Sequence, residues 1–141
     1  MSLAHNKSTV LQAYKAFDLG DIEQGKRLVS PDIIGCVMGS HKLEGVDAFF
    51  EYALMMRAAF PDGYHTFEDV IAEENQVVTR GIFCGTHQGE FMGIPPTGKQ
   101  VKFSVMHIDR VINGKIVEHW GQGDTMALIQ QLGIVILPKH C

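Results

Sequence analysis

At 141 residues the chain suits one domain with a real core. A composition of 45% hydrophobic and 20% charged residues excludes a low-complexity or disordered segment as its main content. The formal net charge of -4, with Lys and Arg scattered, gives no footprint for nucleic acid and no polybasic run for a membrane surface. Three cysteines, Cys36, Cys84 and Cys141, lack CxxC spacing and make neither a disulfide framework nor a zinc site. Cys36 and Cys84 read as small core residues. The apolar stretch at 132–137 is too short to span a bilayer. The first residues, MSLAHNKST, lack the layout of a signal peptide, so a cytoplasmic protein is expected.

Residues 6–19 place Val10, Tyr14 and Phe17 at helical spacing, with Asn6 or Ser8 as cap and Gly20 as stop. Asp21 suits the cap of a second short helix, which Ser30-Pro31 ends. Residues 32–38 form a β-like run that Gly39-Ser40 turns. After a brief HKLEG passage comes the clearest helix, 46–60, with Val46, Phe49, Phe50, Ala53, Met56 and Phe60 on one face. From Tyr64 the period changes to two. Residues 64–73 read as a strand, Glu74-Asn75 as a turn, and 77–91 as a long strand that Gly81, Gly85 and Gly89 allow to bend. GEFMGIPPTGK, at 89–99, reads as a loop, and TMALIQQLG as a final short helix stopped by Gly133. Helices closing the concave side of a bent antiparallel sheet make a cone with an internal pocket, an α+β fold.

The chemistry concentrates in residues 100–124. Two β-like runs flank Asn113-Gly114, the dipeptide that most favours a tight hairpin. With a two-residue loop Ile112 pairs with Lys115, His107 lies opposite Trp120, Val105 opposite Gln122, and Phe103 opposite Asp124. Alternation then puts Trp120, Gln122 and Asp124 on the pocket face, and His119, Gly121 and Gly123 on the other. A carboxyl between Phe103 and Trp120 would have its pKa raised toward neutrality. Asp124 equally suits the N-cap of the final helix. His107, Asp109 and Val111 point inward by the same parity. His107 is then either a satisfied core residue or a second catalytic group oriented by Asp109. Arg80 is expected inward, as a partner for Asp124 or an anionic substrate group; outward it would be an ordinary surface residue. Trp120 offers a flat wall to a ring-shaped ligand, while Tyr14, Phe17, Phe49 and Met56 would close the pocket from the helices. Phe83, Met106, Ile108 and Val117 fall on the outer face, too apolar to stay wet, so a homodimer or homotetramer is expected.

Three segments, GTHQGEFMGIPPTGKQV at 85–101, INGKIVEHWGQGDTMALIQQLG at 112–133 and AAFPDGYHTFEDVIAE at 58–73, together with the N-terminal helices, resemble the SnoaL-like polyketide cyclases. These proteins, also called ester cyclases, belong to the nuclear transport factor 2-like superfamily. The likeness spans nearly the whole chain and is specific for the family, not for a reaction. It implies a curved sheet wrapped by helices, a dimer or tetramer, and no metal or organic cofactor. It also implies an aspartate at the end of the last long strand as acid/base for intramolecular aldol ring closure, a position that Asp124 matches.

The expectation is therefore a cofactor-free acid/base enzyme acting on a hydrophobic carbonyl compound. Asp124 and His107 are its expected catalytic residues; Trp120, Gln122, Arg80, Phe103, Tyr14, Phe17, Phe49 and Met56 are expected to bind substrate. A non-catalytic small-molecule-binding module of the same fold is one alternative; a ketosteroid-isomerase-like isomerase or dehydratase is another. The chain has no GxSxG, no HExxH and no phosphate-cradling Gly loop before a helix.

Overall fold

The computed structural model describes residues 2–38 and 41–134. The Gly39-Ser40 turn, positions 135–137 of the apolar stretch and Cys141 lie outside them. Helix α1 (Leu3–Leu19) begins before Asn6 because Ser2 caps it, accepting the His5 N–H. It stops at Gly20, whose φ of 67° returns the cap N–H to the Ala16 and Phe17 carbonyls. Asp21 caps α2 (Ile22–Leu28), as its spacing suggests. Strand β1 (Val29–Val37) starts at once, earlier than expected. Its parallel pairing with β6 (Lys115–Gly123) is irregular between Val29 and Ile34, and Pro31 falls in that interval, where a missing N–H is tolerated.

The HKLEG passage holds β2 (His41–Glu44), a strand of 4 residues that is too short to show a period. Helix α3 (Val46–Ala59) buries Phe49, Phe50, Ala53 and Met56 on its expected face. Then come β3 (Tyr64–Glu73), β4 (Gln76–Thr86), β5 (Gln100–Ile112), β6 and α4 (Thr125–Gln131). Strand β4 ends at Thr86, not near Phe91, because just beyond His87 the chain leaves β5 and the Gln88 and Gly89 N–H groups turn to the Ala59 carbonyl.

The fold is α+β: a curved, unclosed six-stranded sheet in the order β2-β1-β6-β5-β4-β3, with four helices. Two apolar clusters fill the concave side. One joins α1 and α3 to β1; the other joins the end of α3 to Phe83, Phe91, Phe103 and Leu128. Half-buried Cys36 and Cys84 are not core residues, because each shares the parity of the outer face.

One irregularity decides what the concave face presents. The Asn113-Gly114 turn forms as expected, with φ of 50° and 77° and Ile112 opposite Lys115. Val111 still faces Ile116, but Arg110 faces Glu118, so Val117 is an extra residue in β6. Arg110 donates from Nε to Glu118 at 2.8 Å and from Nη1 to Asn75 at 2.6 Å, which holds this offset pairing. Beyond the bulge every β6 side chain changes face. His107 lies opposite Gly121 and Asp109 opposite His119, while Trp120 faces Ile108 on the outside.

Strands β3 and β4 approach closely at Gly81. A Cβ there would lie 2.0 Å from the Thr66 carbonyl oxygen, beside the register shift of β3 between Phe67 and Asp69. The obstacle is backbone, so it cannot rotate away. Gly81→Ala should lower stability by roughly 1–3 kcal/mol, an overpacking cost. Urea unfolding should show a lower midpoint at unchanged slope; an unchanged midpoint would mean that the strands separate freely here.

Candidate active site

A cavity of about 80 Å³ lies where the two apolar clusters meet. Apolar side chains, among them Phe17, Phe49, Met56, Phe83 and Phe103, form most of its wall. Its polar lining includes Tyr14 from α1, Tyr52 from α3, His65 from β3, His107 and Asp109 from β5, and His119 and Gln122 from β6.

Asp109 is 1% exposed and makes two hydrogen bonds. Its Oδ1 lies 2.7 Å from His119 Nδ1, and its Oδ2 accepts from the Tyr14 hydroxyl at 2.8 Å. Tyr14 Oη is also 3.4 Å from His119 Nδ1, so the three groups form a triangle. A carboxylate can only accept, which assigns the Nδ1 hydrogen to His119; the neutral tautomer of that ring has its lone pair on Nε2. Burial, and then the neighbouring Asp109 charge, push the Tyr14 phenol well above its usual value, so it stays a donor. Phe49 packs edge-on against the His119 ring, with centroids 5.4 Å apart.

His107 stands beside this triangle, its ring centroid 5.4 Å from that of His119. Its Nδ1 is 3.1 Å from Thr79 Oγ1. Burial first, and then repulsion from His119 and His65, hold it well below the ordinary imidazole range. A neutral His107 whose Nδ1 accepts from Thr79 carries its hydrogen on Nε2. His65 completes the polar set, with its N–H and Nδ1 on the two Asp18 oxygens at 2.8 and 2.6 Å. Gly121 keeps the space between the imidazoles open. A methyl there would sit 3.1 Å from His107 Cδ2 and 3.3 Å from His119 Nε2. Among the described residues no set of three His, Cys, Asp or Glu side chains could hold a metal ion.

Of the residues expected here, His107, Phe103, Tyr14, Phe17, Phe49, Met56 and Gln122 line the cavity, Gln122 as an exposed residue. Three placements are corrected. Trp120 is 45% exposed on the outer face, its indole N–H on Glu118, because the Val117 bulge reverses β6. Asp124 is exposed and does not line the cavity; its Oδ1 caps α4 by accepting the Ala127 N–H at 3.0 Å. Arg80 points outward to Asp69 and Glu68, since Thr79 and Phe83 take the inner face of β4. That leaves Phe83 in the cavity wall and not on the outer face. Asp109 orients His119, and Thr79 holds His107. The sequence sign for His119 was the pair of glycines sharing its parity, since a cavity needs small residues on the face that lines it.

His107 also makes stability depend on pH. Its folded value lies below the ordinary value of about 6.5, so the unfolded chain takes up the proton first. Its contribution is complete above about 6.5 and declines as pH falls through the interval down to the folded value. His107→Gln should flatten this acid-side loss, measured by urea unfolding at about pH 7.5 and about pH 5.5. Equal losses in parent and variant would place the sensitivity elsewhere.

A family model for the SnoaL-like polyketide cyclase matches residues 8–132. Nogalonic acid methyl ester cyclase of Streptomyces nogalater is 27% identical over 84% of this chain and 90% of its own length. AclR of Streptomyces galilaeus, provisionally assigned as a hydroxylase, superposes with a TM-score of 0.84 at 32% identity, covering 98% of this chain and 87% of AclR. IdmH of Streptomyces antibioticus, provisionally assigned as a polyketide cyclase, does so at 0.81 and 32%, covering 91% of this chain and 98% of IdmH. With the whole fold and both long C-terminal strands inside these matches, the chain belongs to the SnoaL-like polyketide cyclase family.

Proposed function

We propose that this protein closes a ring on a polyketide-type carbonyl compound by cofactor-free intramolecular aldol addition, with His119 and not Asp124 as its base. The observation that carries this reading is the buried Asp109–His119 pair beside a neutral His107 on a mostly apolar cavity. His119 Nε2 removes a proton α to the carbonyl, and His107 Nε2–H donates to the enolate oxygen. The enolate carbon bonds to the second carbonyl carbon, and the imidazolium returns its proton to the new alkoxide. Asp109 stabilises the imidazolium in between, and Tyr14 holds Asp109. The small cavity receives the reacting end, with Met38 and Met56 as pliable walls for the remainder.

With nogalonic acid methyl ester as assay substrate, His119→Gln and Asp109→Asn should each lower kcat by roughly 10²–10⁴ while retaining the parent circular dichroism. Asp124→Asn should stay within a few-fold of the parent. The opposite ranking would return the base to Asp124. Ligand binding without turnover by the parent would favour a binding module. A hydroxylase reading draws on the AclR match, which covers 98% of the chain; dioxygen uptake during turnover would select it over ring closure.

We also propose a homodimer formed through the outer sheet face. Ile71, Val78, Ile108 and Trp120 align in register across β3, β4, β5 and β6, and three of them are 40–60% exposed. Met106, 52% exposed, extends this band. Light scattering should give twice the chain mass, and Ile108→Lys should give the monomer. A parent that is already monomeric at micromolar concentration removes this proposal.

A further inference from the structure

Behind the inner cavity lies a second, larger recess. It is an open groove of about 530 Å³ between α1, the end of α3 and the start of β3. Tyr14 and His65 line both spaces, so they are the wall between them. Nothing in the proposed ring closure uses the outer side of that wall.

The hydrogen-bond inventory of the groove is lopsided. Both of its carboxylates are already occupied. Asp18 accepts twice from His65, and Asp62 accepts from the Thr86 N–H and hydroxyl, each at 2.7 Å. The Thr86 bonds also hold the Asp62 carboxyl below its usual range. The cations differ. Arg57 donates from Nη1 to the Asp18 carbonyl at 2.9 Å, and its stem rests on Gly20, with Cδ 2.9 Å from where a Cβ would be. That bond ties one end of the exposed guanidinium to α1. Neither Arg57 nor Lys15 has an acidic partner among the described residues, so most of their donors are free. A ligand must bring the acceptors. The apolar rim, with Tyr64 52% and Leu19 57% exposed, asks for a flat hydrophobic body.

We infer that this groove is a second ligand site, selective for an aromatic carboxylate. The carboxylate lies on the Arg57 fork with Lys15 beside it, and the ring lies against Tyr64 and Leu19. Its occupant touches the outer side of the wall whose inner side faces the His119 cavity. The inference is independent of the ring-closure chemistry, because none of its anchoring residues takes part in that reaction.

The probe is 2-naphthoate, titrated into the 141-residue chain and followed by NMR, with neutral 2-naphthylmethanol as its uncharged counterpart. Binding should shift the Tyr64, Leu19 and Arg57 side-chain signals, and the neutral compound should leave them unmoved. Arg57→Gln should weaken 2-naphthoate by about tenfold or more. Arg57→Lys, which keeps the charge without the fork, should fall between. Arg57 is exposed, and a parent-like amide spectrum verifies folding of each variant. Three outcomes would overturn the site: no shifts at millimolar probe, shifts confined to Phe103 and His119 in the inner cavity, or equal binding by parent and Arg57→Gln.

Discussion

Asp109 and His119 meet because β6 carries one residue more than β5 requires. Taking a carboxylate out of water costs several kcal/mol unless its oxygens are satisfied, so the pairing is close to obligatory once Asp109 faces inward. Parity directs Asp109 inward, and only the Val117 offset supplies an imidazole directly opposite it. Tyr14 supplies the second donor and, in doing so, ties α1 to the centre of the sheet. The bulge, the helix dock and the polar cluster are thus one arrangement, in which loss of any member leaves a buried acceptor short of a partner.

The two imidazoles that flank Gly121 are held by partners of opposite character. Asp109 sets a carboxylate against His119, while Thr79 offers His107 only a neutral hydroxyl in a buried setting. In the proposed ring closure, neighbouring rings of the same type would take different tasks, His119 accepting the proton and His107 donating a hydrogen bond. Their separation comes from the cross-strand geometry of β5 and β6. No flexible loop has to position either ring.

Most of the fold could be read from local pattern. The helix faces, the Asn113-Gly114 turn and the inward parity of His107 and Asp109 follow from periodicity and turn chemistry, which act over a few residues. The facing of Trp120, Gln122 and Asp124 could not, because Arg110 sets the bulge by reaching Glu118 across the ladder and Asn75 on the neighbouring hairpin. Arg80 was ambiguous for another reason. The outer face is itself apolar, so Val78 and Ile82 beside Arg80 mimic a core-facing pattern. His65 and the Tyr14 hydroxyl carried no local sign, since their partners lie 47 and 95 residues away. Asp124 stands at the strand end to which the family motif points, while the buried polar side chain of β6 that lines the cavity, His119, sits five residues earlier.

Trp120 is the chain's single tryptophan, and its indole stands on the convex side with the N–H on Glu118. Intrinsic fluorescence of this protein therefore reports on that side. Emission excited at the indole band follows whatever desolvates the convex surface and is largely insensitive to the filling of the concave one. Quenching by iodide or acrylamide measures coverage of the convex surface, and a ligand titration on the concave side needs a different chromophore.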